Sequence, residues 1–283
     1  MTVFPIAKRI ISISEPDGKE QLSTMKKSLL LLALFVFSFA TFAQTEEPSV
    51  SADRPGMATG TDVMFFLKVQ WETGFESTWS GDPVFLLPTT MIRFGVTRFA
   101  ELRLEYDGYY YRFNDIYSRC EWAYEVQPLV LGTKVKIFEG YMWVPKISLL
   151  ANLSIPLKRD IGTYATVRHV APSLYLLFQN DVTDWFNIGY NVGAEWSGYS
   201  HIPSTFLALC LGFNITDNFG TFLESYNYFS RYGKDNTEAE CNLDFGFTYM
   251  VHPKVQLDLY AMFNCQCPRD FNGIGLGLTW LIN

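Results

Sequence analysis

Histidine and charge are scarce in this chain, and after residue 43 no apolar run is long enough to cross a membrane as a helix. Charged residues make up 18% of it, where a soluble domain usually carries about 25%. The three histidines, His169, His201 and His252, fall in expected loops or strand ends with no serine or carboxylate set beside them, which argues against hydrolytic catalysis. No basic stripe accompanies the formal net charge of −7, so nucleic acid is not an expected partner. Cys265-Gln266-Cys267 is too closely spaced for zinc and nothing completes a ligand set, so neither metal nor other cofactor is expected. Gly273-Ile274-Gly275-Leu276-Gly277 lacks the following helix that a dinucleotide-binding turn requires.

What is abundant is aromatic and dispersed: 24 Phe, 16 Tyr and 7 Trp. At the amino end, Lys26-Lys27 precedes the apolar run Leu29 to Phe42 and the small-residue site Thr41-Phe42-Ala43, a pattern that reads as a signal peptide over 25–43. Residues 1–24 read as an over-extended start, and 44–62 as a periplasmic segment or plug ahead of a barrel over 63–283.

From Val63 onward the chain alternates apolar and polar residues with a period of two. Phe65, Leu67, Val69, Trp71 and Phe75 share one face; Lys68, Gln70, Glu72, Gly74 and Glu76 share the other. Successive strand side chains point to opposite faces, so such a ribbon separates oil from something polar. The pattern recurs in about twelve segments, approximately 63–77, 89–98, 101–113, 126–138, 144–157, 167–182, 185–197, 204–216, 219–230, 239–251, 254–265 and 271–282. In 219–230 both faces are mixed, and a bulge is expected there. Short connections such as Thr97–Ala100 and Val251–Lys254 alternate with longer ones, 78–88 and 114–125 among them. Outer-membrane barrels have short periplasmic turns and longer outer loops. The expected fold is therefore an all-β, antiparallel, up-and-down transmembrane barrel of about twelve strands, embedded in outer-membrane lipid. A soluble sandwich also alternates, but its strands are shorter and do not carry aromatic girdles at their ends. Gly277, Trp280 and Ile282 form the terminal-strand pattern by which barrel-assembly machinery is expected to recognise the chain.

Inward parity falls on Lys68, Glu72, Glu76, Arg93, Arg103, Glu105, Asp107, Lys134, Lys136, Glu195, Asp244 and Asp258. These residues line either a polar path for solutes or a network of paired charges that fills the interior. Cys241 and Cys265 share outward parity about the 252–254 turn and should face each other, as a cross-strand disulfide or as two free thiols.

Ala52-Asp53-Arg54-Pro55-Gly56, Leu87-Pro88, Met91 through Thr97, Glu101-Leu102-Arg103, Gly132-Thr133-Lys134, Phe222-Leu223-Glu224 and Val255 through Asp258, taken in that order, resemble the meta-pathway phenol-degradation family of outer-membrane, transporter-like barrels. The resemblance spans about residues 52–282. It implies a pore or uptake barrel for small solutes, hydrophobic or aromatic ones among them, and no enzyme. Because it begins at Ala52, Asp53, Arg54 and Pro55 are expected to enter the lumen as a plug, Arg54 pairing with inward carboxylates such as Glu105 or Asp107, rather than to form a solvated turn leading into the first strand. The alternatives are a non-conducting structural or surface-binding barrel and, less favoured, an outer-membrane hydrolase.

Overall fold

The computed structural model describes residues 49–80, 82–114, 120–141, 143–157, 169–198, 201–232, 236–266 and 272–282. The expected signal peptide and leading segment lie outside these residues.

Among the described residues, thirteen strands form one antiparallel sheet that closes on itself. They run β1 (Val69–Ser80), β2 (Asp82–Thr97), β3 (Ala100–Asn114), β4 (Cys120–Val126) and β5 (Leu129–Phe138). Then follow β6 (Lys146–Ile155), β7 (Ala171–Thr183), β8 (Phe186–Glu195) and β9 (Ser204–Asn214). The ring ends with β10 (Phe219–Tyr232), β11 (Asn236–His252), β12 (Val255–Asn264) and β13 (Asn272–Leu281). Each strand pairs with its sequence neighbour, and β1 closes the ring against β13 from Gln70↔Leu281 to Trp79↔Asn272. Closure leaves every wall strand with a partner on both sides, which hydrocarbon demands because it offers no hydrogen bonds. The one interruption is a strand split in two: β3 pairs β5 through Ala100–Glu105 and β4 through Gly108–Asn114, with Gln127-Pro128 between. Among the described residues β4 pairs with β3 alone, so the ring has twelve positions and one extra strand.

The sides of this wall reverse the usual order of a soluble protein. Along β12 and β13, Leu257, Leu259, Phe263, Ile274, Leu276 and Trp280 are exposed, Leu259 by 53%. Between them Asp258, Tyr260, Met262 and Thr279 are buried. The same exchange on β10 and β11 puts Leu223, Leu243, Phe245 and Phe247 outside and Phe222, Glu224, Tyr226, Asn242 and Asp244 inside. Apolar side chains face lipid, and the charges are the core.

Several expected boundaries shift. Residues 63–68 are not strand: Leu67 sits at φ 58° and Phe66 makes an isolated parallel bridge to Gly95, so the alternation there belongs to the chain entering the wall and the barrel begins at Val69. The expected loop 78–88 is mostly strand, since β1 and β2 pair from Val69↔Phe94 out to Ser80↔Asp82. The expected loop 114–125 holds β4, and the expected single strand 126–138 is its continuation after Pro128. β10 runs in unbroken register with both β9 and β11, without the expected bulge. Its faces look mixed because its inward face carries aromatics.

Candidate functional site

The segment before β1 fills the short-turn end of the lumen. It enters beside the β11–β12 turn, where Val50 N donates to Pro253 O at 2.9 Å. It then crosses the interior and returns to the wall where Leu67 N donates to Gly95 O at 2.8 Å. Its first anchor is Asp53. Lys134 Nζ lies 2.8 Å from Asp53 Oδ2, Arg103 Nη1 3.1 Å and Arg93 Nη1 3.4 Å. Arg93 also pairs Glu101 at 2.9 Å and Glu72 at 3.0 Å, and donates to Ser51 O. Lys134 donates to Gly60 O at 3.0 Å. Three cations thus meet three carboxylates, Asp53, Glu72 and Glu101, and Arg93, Lys134, Glu72 and Glu101 are fully buried. Burial alone would raise the Asp53 carboxyl, but Arg93, Lys134 and Arg103 hold it well below the ordinary carboxylate range.

Further along, each turn of the segment meets a wall residue from a different strand. Arg54 Nη1 donates to Thr89 Oγ1 at 2.9 Å, and its Nη2 lies 3.5 Å from Asp258 Oδ1. That guanidinium lies against glycines of two neighbouring strands, Gly74 of β1 and Gly277 of β13; a Cβ at Gly74 would come 2.7 Å from Arg54 Cζ and one at Gly277 2.7 Å from Arg54 Nη2. Met57 N and Ala58 N both donate to Glu224 Oε1, at 2.8 and 2.9 Å. Gly56, at φ +93°, makes this turn; a Cβ there would meet Glu224 Oε2 at 2.7 Å. Asn191 closes a two-way pair with Thr59, accepting from its N at 2.8 Å and donating to its O at 3.1 Å. Ser148 Oγ donates to Thr61 O at 2.6 Å, and Met64 N donates to Glu101 Oε2 at 2.6 Å. An irregular segment can sit at membrane depth only where the protein satisfies its backbone, and here charged and polar wall residues do so.

Outward of this plug the lumen opens into a cavity of about 810 Å³. Arg54, Gly56, Met57 and Thr59 line it from the plug; Glu76, Asp107, Glu195, Tyr175, Phe206, Tyr226, Tyr228 and Tyr260 line it from the wall. Tyr260 donates to Glu76 Oε2 at 2.9 Å and Tyr175 to Glu195 Oε1 at 2.7 Å.

The family model described as "Putative MetA-pathway of phenol degradation" matches residues 52–280. The chain belongs to this family. The match opens one residue before Asp53, so the family's extent takes in the plug as well as the wall. Among solved structures, an outer membrane channel from Pseudomonas putida F1 is similar with a TM-score of 0.59 at 10% identity, covering 78% of this chain and 98% of that one. The monoaromatic hydrocarbon channel CymD follows at 0.44 and 7% identity, covering 77% and 90%. No curated protein sequence matches the chain. The first of these structures places the fold with the outer-membrane β-barrels.

The inward parity read from the sequence gathers Glu72, Arg93, Arg103, Lys134 and Asp258 around the plug, and Glu105, Asp107 and Glu195 around the cavity. Asp244 is buried on the inward face of β11. Lys136 sits at the short-turn rim, 3.6 Å from Asp62 and 3.2 Å from Glu139. Lys68 precedes β1 and is no wall residue. Arg54 pairs with Asp258, not with Glu105 or Asp107, because the plug turns toward β12 and β13 after Asp53. Cys241 and Cys265 do face each other, Cys265 N donating to Cys241 O at 2.9 Å, but they are free thiols and the bridge is not made. Cys267 lies outside the described residues. His169, His201 and His252 are all exposed; His252 Nδ1 accepts from Lys254 N at 3.2 Å.

Missing from the sequence reading were Glu101, Glu224, Asn191 and Ser148. Glu101 shares the parity of Arg103 and was recoverable from it. Glu224 was obscured by the mixed faces of β10. Asn191 and Ser148 have inward parity, but an uncharged side chain gives no hint that plug backbone needs it.

Proposed function

We propose that this barrel takes up small solutes across the outer membrane and that its N-terminal plug is the gate. The observation that carries the reading is the placement of a polar, tyrosine-lined cavity directly outward of a plug fastened by side chains rather than by strand pairing. A permanent filling would be cheaper as apolar packing: replacing a buried ion cluster by hydrophobic residues is often neutral or stabilising. Charges that hold a segment through discrete contacts allow two states, held and released. The family description supports small aromatic molecules as cargo, and an aromatic wall accepts them by stacking and edge-to-face contact. The protein acts in this reading as a passive channel and not as an enzyme.

The test is planar-bilayer conductance and vesicle swelling of the refolded full chain beside a form lacking residues 44–58. The reading expects small, intermittent conductance from the full chain and a large steady one after deletion. A silent deletion form that is folded would support the second reading, a structural barrel. That alternative is favoured by one observation: the plug as seen crosses the whole short-turn end.

A further inference from the structure

The two kinds of charge are not mixed evenly inside the barrel. Among the described residues, the only cations lining the cavity are Arg54 and Arg103, both at the plug and both already paired, with Asp258 and with Asp53 and Glu105. Outward of them stand Glu76, Asp107 and Glu195, none within ion-pair distance of any described cation. Among the described residues, Glu76 and Glu195 accept from tyrosine hydroxyls and Asp107 accepts from Thr90 N at 3.2 Å, so all three line the cavity without a counter-charge. Carboxylates held beside a cavity with no cation of their own mark a place where a positive partner is wanted.

The rest of the cavity supplies the other half of a recognition site. Phe206 packs against Tyr175 edge-on at 5.8 Å and against Tyr228 at 5.1 Å, and Tyr226 meets Tyr228 edge-on at 6.3 Å. Two strands along the wall, the Arg54 guanidinium already lies 5.9 Å from the Tyr260 ring centre, so this pocket holds one cation–π contact at its floor. Ring faces attract cations, and carboxylates between the rings fix where the charge sits.

We infer that the outer cavity binds small organic cations, an ammonium group on an aromatic or short alkyl body, with the charge toward Glu76 and Asp107 and the body on the tyrosine wall. The inference rests on the uptake reading for its purpose, since it names the class of solute admitted, but the site itself needs no transport. An inorganic cation is a poorer fit, because no group of three or more ligating side chains among the described residues is arranged to hold a metal ion. A neutral aromatic would use the rings and leave the carboxylates unanswered.

Equilibrium binding to the refolded full chain in detergent tests this, with benzyltrimethylammonium, benzyl alcohol and benzoate as probes in calorimetry. The expected order places the ammonium about ten-fold or more ahead of the alcohol, with benzoate weakest. Glu76→Gln combined with Asp107→Asn should remove most of that preference while the alcohol's affinity stays within about two-fold. Heat-modifiable gel migration establishes that the variant is folded; Tyr226→Leu, which keeps every carboxylate, serves as the second variant and should weaken all aromatic probes together. Equal affinity for ammonium and alcohol, tighter binding of benzoate, or displacement of the ammonium by equimolar potassium chloride would each overturn the inference. Binding without vesicle flux would overturn the uptake reading and leave the site standing. Flux of neutral solutes without ammonium preference would do the reverse.

Discussion

The two halves of the lumen solve the same problem, buried charge, in opposite ways. In the short-turn half, Arg93, Arg103 and Lys134 meet Asp53, Glu72 and Glu101 in equal number, and Asp53 ties the plug to all three cations. In the outer half, Glu76 and Glu195 are met by tyrosine hydroxyls and Asp107 by the Thr90 N–H, with no counter-charge among the described residues, around open space. Charge that is fully paired fastens; charge left over receives. In the proposed reading the inner half closes and the outer half recognises.

The sharpest way to break this division is Asp53→Ala. It strands Arg93, Arg103 and Lys134 without their shared counter-ion, a loss on the order of 3–5 kcal/mol for a buried pair. Bilayer recordings should show the plug released, with conductance close to that of the deletion form, while heat-modifiable migration shows the wall intact. Next in size is Asn191→Ala, which leaves both Thr59 N–H and Thr59 C=O without their partner and should cost on the order of 1–3 kcal/mol. More frequent openings in single-channel records, short of steady conduction, are the expected result. Gly56→Ala follows at roughly 1–2 kcal/mol, because its backbone lies in the left-handed region and the new methyl meets Glu224 Oε2. Its openings should be fewer than those of Asn191→Ala.

Acidity has the smallest expected effect near neutrality. Asp53 is held below its ordinary value near 3.8, so its contribution to holding the plug is complete above that value. It fades only as the pH falls below 3.8 toward the depressed value of the folded protein. Conductance of the full chain should therefore be unchanged between pH 7 and pH 5 as far as Asp53 governs it, and should rise in stronger acid. A rise already complete at pH 5 would remove Asp53 from the latch.

The wall was largely legible in the sequence because a two-residue repeat against hydrocarbon is enforced at every position. Leu257, Leu259 and Phe263 stand outside and Asp258, Tyr260 and Met262 inside for no reason beyond parity. The plug was legible only in part. Asp53 and Arg54 announced themselves as charges ahead of the first strand, yet parity says nothing of where an irregular segment travels, so which inward carboxylate Arg54 meets was not legible. The same limit placed residues 63–68 in a strand, since Phe65 and Leu67 alternate as a strand would while the backbone turns at Leu67. Recognition by Asn191 and Ser148 was out of reach, because wall-to-plug hydrogen bonds depend on strands far apart in sequence meeting one loop. The tyrosine wall was hidden for a further reason: inward aromatics on β10 break the apolar-out pattern that identifies a strand.

Fastening the plug tests the whole division most directly. With the native cysteines replaced by serine, cysteines at Thr59 and Asn191 can be joined by a short, reducible thiol crosslinker, and solute flux into vesicles measured before and after reduction. The account predicts that the joined form passes nothing and that reduction restores the flux of the unjoined protein. Equal flux in the joined and reduced forms would show that solutes do not wait on the plug.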